Sequence, residues 1–264
     1  IQKLNATISP INIENPIMEI DLILDSPISK IVNAINKSPI KKVMKGLFDE
    51  MKGAGPGQLA VQLQIPLKDE NNITFNGNYE FQNSHLINDS LGMPKIENIV
   101  GYVEFDQNNI EIKEAKASIF DSPIKLSLDN LGDITQVNID GVINQQFFRS
   151  AFGEDWANKL TGEASWFAEI NIKDKTTDVM ISSDLKGLES KLPLPFDKEK
   201  DEVKTFLLTK QVSKINQEII KAELSTIAFA KLIKEKDSNG NMQFKNGLIN
   251  INSAQKELPE EGIL

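Results

Sequence analysis

Apolar residues in this chain recur at every second position through most of its length. From 57 to 67 the odd positions Leu59, Val61, Leu63, Ile65 and Leu67 are apolar, with Gln58, Gln62 and Gln64 between them. From 73 to 81, Ile73, Phe75, Gly77, Tyr79 and Phe81 alternate with Thr74, Asn76, Asn78 and Glu80. The period returns at Ile99, Gly101, Val103 and Phe105, at Ile124, Leu126 and Leu128, and at Trp166, Ala168, Ile170 and Ile172. It closes with Ile227, Phe229 and Ile233, then Ile249 and Ile251. A pleated strand sends successive side chains to opposite faces, so each run gathers its apolar residues on one side and its polar residues on the other. The expected fold class is mainly β. It is a long, antiparallel, strongly twisted sheet with one apolar face, groove-like or a half-open sandwich, with strands of about ten residues.

Turn chemistry divides these runs into hairpins. Asp237-Ser238-Asn239-Gly240 lies between two of them, and Asn-Gly suits the type I′ turn that matches strand twist. Asp106-Gln107-Asn108-Asn109 and Lys68-Asp69-Glu70-Asn71-Asn72 have the composition of two more tips. Runs 57–67 and 73–81 should therefore pair antiparallel with their apolar residues on a common face.

Three segments follow the helical period instead, so about three short amphipathic helices are expected to cap or plug part of the sheet face. Ser26-Pro27 opens the first, with Ile28, Ile31, Val32 and Ile35 on one side. Ser38-Pro39 opens the second, which carries Ile40, Val43, Met44, Leu47, Phe48 and Met51 and ends in the glycine-rich segment 53–57. Serine fits the N-cap and proline the first helical position in both. The third runs from Asn144 to about Lys159, with Phe147, Phe148, Ala151, Phe152 and Trp156 as its face. Gly57 and Gly162 each follow a helix and open a long strand, at an offset of 105 residues. This spacing suggests one elongated β-rich fragment over 1–264 with internal units of about 38–141 and 142–254.

Composition narrows the chemistry. The net charge is −9; Arg149 is the one arginine, His85 the one histidine, and cysteine is absent. Without a basic stripe or arginine forks, nucleic acid is not an expected partner. With one histidine and no thiol, most transition-metal, disulfide and Ser-His-Asp chemistry is removed, so no enzyme activity, cofactor or metal is expected. No run of 18 apolar residues is present, and the chain opens on Ile1 without a leader, which reads as a piece of a longer protein whose anchor lies elsewhere.

The remaining motifs have plain readings. The glycine cluster at 53–57 follows a helix and lacks a Lys-Ser/Thr pair, so it reads as a helix stop, not a phosphate loop. Asp237–Asn241 imitates the start of a calcium loop, but Met242 and Leu248 stand where glycine and the bidentate glutamate belong. His85 reads as a strand-end or surface histidine. Asp49/Glu50 and Glu260/Glu261 read as solvated pairs at helix ends and in loops.

Local phrases carry a resemblance. Ser183-Asp184-Leu185-Lys186-Gly187-Leu188, followed by Leu192-Pro193-Leu194-Pro195-Phe196-Asp197-Lys198, resembles the "SDLxGL…LPxPLxK" phrase of the AsmA-like bacterial envelope proteins, YhdP branch. Leu258-Pro259-Glu260-Glu261-Gly262 is similar to the "LPxxGL" phrase that follows it. Gly57–Leu67 resembles the strand ending "LxIPL", Ile99–Phe105 resembles "IxGxVxF", and Leu160-Thr161-Gly162 with Trp166 resembles "LxGxxxW". Ala117–Leu128 resembles "AxxxGxPxxLxL", with Asp121 where glycine is usual.

The resemblance implies a periplasmic segment of an inner-membrane-anchored lipid conduit, which assists phospholipid transport between the two membranes and supports the outer-membrane barrier. Its partners would be phospholipid or another acyl-chain lipid, and the inner membrane through a segment outside this fragment; a monomer is expected. On that reading Leu59, Val61, Leu63, Ile65, Leu67, Phe75, Tyr79, Phe81, Trp166 and Ile170 are the candidate lipid-facing residues. The alternation alone equally fits a non-catalytic structural or interaction β-sandwich module of the cell envelope, with this face closed.

Overall fold

The computed structural model describes residues 1–9, 14–37, 51–68, 72–88, 93–173, 176–212, 217–237, 242–252 and 262–263. The protein is mainly β and antiparallel, with three short helices among the described residues. It divides into two compact units, Ile1–Ile119 with Lys125–Thr135, and Phe120–Ile124 with Gln136–Leu264.

The first unit runs β1 (Lys3–Ile8), β2 (Ile17–Asp25), α1 (Ile28–Asn36), β3 (Met51–Ala54), β4 (Gly57–Pro66), β5 (Thr74–Asn88), β6 (Ile96–Asp106) and β7 (Ile110–Ile119). Antiparallel neighbours follow in the order β1, β2, β4, β5, β6, β7. β5 has 15 residues, enough for β4 to pair along its first half and β3 along its second. The expected pairing is present: Leu59 faces Tyr79, Val61 faces Gly77 and Leu63 faces Phe75. The tip after β6 also forms, with Asp106 Oδ1 accepting from the N–H groups of Asn108 and Asn109 at 2.6 and 2.9 Å. The strand that follows, β8 (Ser122–Leu131), buries Ile124, Leu126 and Leu128 in the expected alternation.

α1 keeps its apolar stripe, with Ile28 and Val32 buried, but Pro27 takes the N-cap position and Ser26 caps nothing. The serine serves tertiary structure instead. Its N–H donates to the Gly57 carbonyl at 2.9 Å, and its own carbonyl accepts from the Tyr79 hydroxyl at 2.9 Å. The expected helix from Ser38 lies outside the described residues up to 50, and its last residue, Met51, belongs to strand β3. The glycine cluster is accordingly no helix stop: Gly53 sits within β3 and Gly57 starts β4. A Cβ on Gly53 would meet Leu86 at 2.8 Å and Ile28 at 3.0 Å, so glycine there lets α1 lie against β3.

The second unit opens with β9 (Ile134–Asn144), α2 (Gln145–Phe152), α3 (Glu154–Ala157) and β10 (Leu160–Lys173). The single helix expected from Asn144 to Lys159 is two, because Gly153 between them adopts φ 92°, outside the helical region. Asn144 caps α2, its Oδ1 accepting from the Phe147 N–H at 2.9 Å. Phe148 packs on the cluster of Leu160, Ala164 and Leu188, while Phe152 and Trp156 remain exposed.

Beyond β10 come β11 (Thr176–Ser183), β12 (Leu188–Ser190), β13 (Phe206–Val212), β14 (Gln217–Leu224), β15 (Ala228–Lys236), β16 (Met242–Ile251) and β17 (Gly262–Ile263). β10, β11, β13, β14, β15 and β16 pair antiparallel in that order. β12 pairs with the first residues of β10, and β17 lies parallel to β16. The segment between β11 and β13 is clamped by Lys198, a buried residue whose ammonium donates to the carbonyls of Leu188 (2.8 Å) and Glu199 (3.0 Å). Burial pushes its pKa down. At β15 one-sidedness breaks: Ile249 faces Ala230 and Ile251 faces Ala228. Phe229 and Ile233, one residue out of phase, therefore point to the opposite face.

Gly141 in β9 is the bed of Trp166, whose buried indole N–H has no hydrogen-bond partner. A Cβ on Gly141 would overlap the Trp166 ring. Gly141→Ala is expected to cost about 1–3 kcal/mol in a denaturant melt, through overpacking. It should also shift indole emission to the red; an unchanged midpoint and spectrum would show that the ring has room to move.

Candidate functional site

In the first unit the register aligns apolar residues across strands. Leu4, Leu22, Val61, Gly77 and Phe105 form one row, and Ala6, Ile20, Leu63 and Phe75 the next. Ile8, Met18 and Ile65 form a third, while Leu24, Leu59, Tyr79 and Val103 lie on the other side of the first. Rows two residues apart share a face. The opposite face is a polar lattice. Gln58 and Gln2 donate to Asp25 at 3.2 and 2.9 Å, Gln64 donates to Glu19 at 3.3 Å, and the Tyr102 hydroxyl donates to Glu80 at 3.1 Å. The Gln58 bond first, then that of Gln2, holds the Asp25 carboxyl below its usual range.

The candidate residues divide by accessibility. Tyr79 and Phe81 are buried, at 1% and 5% exposure, so they belong to a sealed section and not to an open face. The segment leading into α1 hydrogen-bonds to β4 and to the Tyr79 hydroxyl, and Phe81 packs edge-on against the Tyr79 ring. Leu59, Val61, Leu63, Ile65 and Phe75 are half-buried. Leu67, one residue beyond β4, is exposed, as are Leu4 and Ile8. The strip is closed under α1 and opens toward β1 and the far end of β4.

Burial pushes the Tyr79 phenol up from 10.0 to about 12. The fold thus favours the neutral phenol. That contribution is complete below pH 10 and disappears as the pH climbs from there to about 12. Tyr79→Phe should lose about 1 kcal/mol near neutrality, where the hydrogen bond to Ser26 is missing. It should also lack the wild type's extra alkaline step, so the difference between the two in urea melts should shrink as the pH rises. A constant difference across that range would contradict the assignment.

In the second unit, rows run from β10 to β16. Ala168, Ile181, Leu208, Ala222, Ala230 and Ile249 form one, and Ile170, Val179, Lys210, Ile220, Leu232 and Gly247 the next. Ile172, Thr177, Val212, Glu218 and Lys234 form a third. Ile170 is buried at 4% exposure, whereas Trp166 is half-buried. Ile249 and Ile251 at the β16 side are each 49% exposed.

The described residues contain no group of three His, Cys, Asp or Glu side chains able to hold a metal ion. His85 stands in β5 opposite Ala54. Asp49/Glu50 and Glu260/Glu261, and most of the 237–241 tip, lie outside the described residues. No described helix is long and apolar enough to cross a membrane.

Two sets of face residues are not among those expected from the sequence. Met18, Ile20, Leu22 and Leu24 do carry a signal, a period of two between Glu19, Asp21 and Asp25. Lys210, Glu218 and Lys234 interrupt the apolar alternation of their strands, and only the register places them together. A family model described as YhdP protein matches residues 1–264. No curated protein matches the chain, and no solved structure does.

Proposed function

Because the chain belongs to the YhdP family, we propose that it is a periplasmic segment of a lipid conduit, anchored to the inner membrane by a part of the protein outside this sequence. Acyl chains lie parallel to the strands, crossing successive apolar rows where these are not buried, and the polar lattice of the first unit faces water. The observation that carries this reading is the half-buried strip Leu59, Val61, Leu63, Ile65 and Phe75, backed by hydrogen-bonded glutamines and carboxylates. A sandwich core of the same residues would be buried throughout.

Length and energy agree. Leu59 to Ile65 spans roughly 20 Å at ~3.3 Å per residue, against roughly 15 Å for the hydrocarbon of one bilayer leaflet. Each methylene laid on the strip is worth ~0.8 kcal/mol. The protein contributes a surface and no chemistry: phospholipid moves along it between the two membranes without covalent change. Native mass spectrometry of the purified chain, followed by lipid extraction, tests this. Co-purified phospholipid is expected. Lipid-free protein that also takes up none from vesicles would favour a closed structural module of the envelope.

A further inference from the structure

We propose that Lys210, Glu218 and Lys234 form a head-group site for an anionic phospholipid, its phosphate held by the two ammonium groups and its acyl chains lying across the neighbouring apolar rows. The proposal rests on the conduit reading and assigns that path a point of selectivity.

The three residues sit on β13, β14 and β15, one strand apart from each other in the antiparallel order. Parity puts all three on the face that carries Leu208, Ile220 and Leu232. Lys210 Nζ lies 3.1 Å from Glu218 Oε1, and Lys234 Nζ lies 3.9 Å from the same oxygen. The carboxylate side chain is only 8% exposed and that of Lys210 15%, whereas Lys234 is open at 39%.

Two cations share one carboxylate, on a face that also carries Leu208, Ile220 and Leu232, in a chain whose net charge is −9. A simple clip between strands needs one lysine per glutamate. The second lysine adds a partly desolvated positive charge, which attracts an anion more strongly than a fully hydrated lysine does. Lysine suits a phosphate as a point charge with rotatable donors. The position also suits an amphiphile. The cluster lies in the last rows before the ends of β13 and β14, and apolar residues of the successive rows follow from it along the strands. An acyl chain bonded to the bound head group would therefore meet Ile220, Leu232 and Leu208 in turn.

The test incubates the chain with vesicles of equal parts phosphatidylglycerol and phosphatidylethanolamine, then re-isolates it and measures the ratio of the two lipids bound. Wild type is expected to be enriched in phosphatidylglycerol by roughly three- to tenfold over the vesicles, the effect of one favourable charge contact. Lys234→Gln, at the most exposed member, should fold normally and return the ratio to that of the vesicles with total lipid little changed. Glu218→Gln removes the competing carboxylate and should keep or raise the enrichment, although it breaks the same ion pairs; a purely structural clip predicts no such gain. A bound ratio equal to that of the vesicles in wild type, or unchanged by both substitutions, would overturn the head-group site while leaving the conduit intact. Stabilisation by inorganic phosphate without any lipid enrichment would overturn it in favour of a free-ion site. Wild type that takes up neither lipid would overturn the conduit reading itself.

Discussion

Leu63→Asp is expected to leave the chain folded and to strip it of most of its lipid. Leu63 lies between Ile20 and Phe75 in its row and is half-buried. A carboxylate there reaches water by a small rotation, so the cost to folding should be about 1–2 kcal/mol, within the range of ordinary substitutions. The cost to lipid is larger. An acyl chain crossing this row must either desolvate the charge or lift off the strip, and each methylene that lifts loses ~0.8 kcal/mol. Loss of three methylenes' contact already approaches a hundredfold in affinity. Urea melts and lipid extraction on the same preparation check both halves. If the substitution unfolds the protein, the strip is a sealed core and the lipid path must lie elsewhere.

Direction and phase are legible in the sequence. Alternation from 57 to 67 and from 73 to 81, with a polar tip between, is enough to pair the two runs on a common face, and Leu63 does face Phe75. Asn144 announces its cap because a short side-chain oxygen three residues before Phe147 needs no tertiary information. Anything that depends on a third partner is not legible. Ser26 has the same local credentials as Asn144, yet Gly57 and Tyr79 claim both of its backbone groups. β2 pairs with β4 across α1 and β3, and a period of two says nothing about which strand lies beside which. Burial is equally hidden. Tyr79, Phe81 and Leu63 share one pattern, but only Tyr79 bonds to the segment leading into α1, and Phe81 is buried with it in an edge-on ring contact. The Lys210, Glu218 and Lys234 cluster reads locally as three dispersed polar residues, since its meaning comes from the register of three strands.

The same aspartate placed at Ile170 should give the opposite outcome. Ile170 faces Val179 in β11, stands between Ala168 and Ile172 on its own face, and is 4% exposed. Ala164, Ala168 and Ile172 on that face are buried as well, so a carboxylate there has no short route to water and no basic partner in its pair with Val179. Burying an unpaired charge costs several kcal/mol, a large part of the stability of an ordinary domain. Ile170→Asp is therefore expected to unfold the second unit. A urea melt followed by Trp166 emission should show its native baseline lost, and amide exchange should show protection retained in β4 and β5 if the two units fold independently. Ile170→Val offers the control: it removes one methylene, should cost about 0.5–1.5 kcal/mol, and should leave lipid uptake unchanged. The contrast between positions 63 and 170 separates an open strip from a closed core with one substitution type. Were Ile170→Asp to fold and lose lipid as Leu63→Asp does, the β10 face would have to open in solution, and the lipid path would extend onto it.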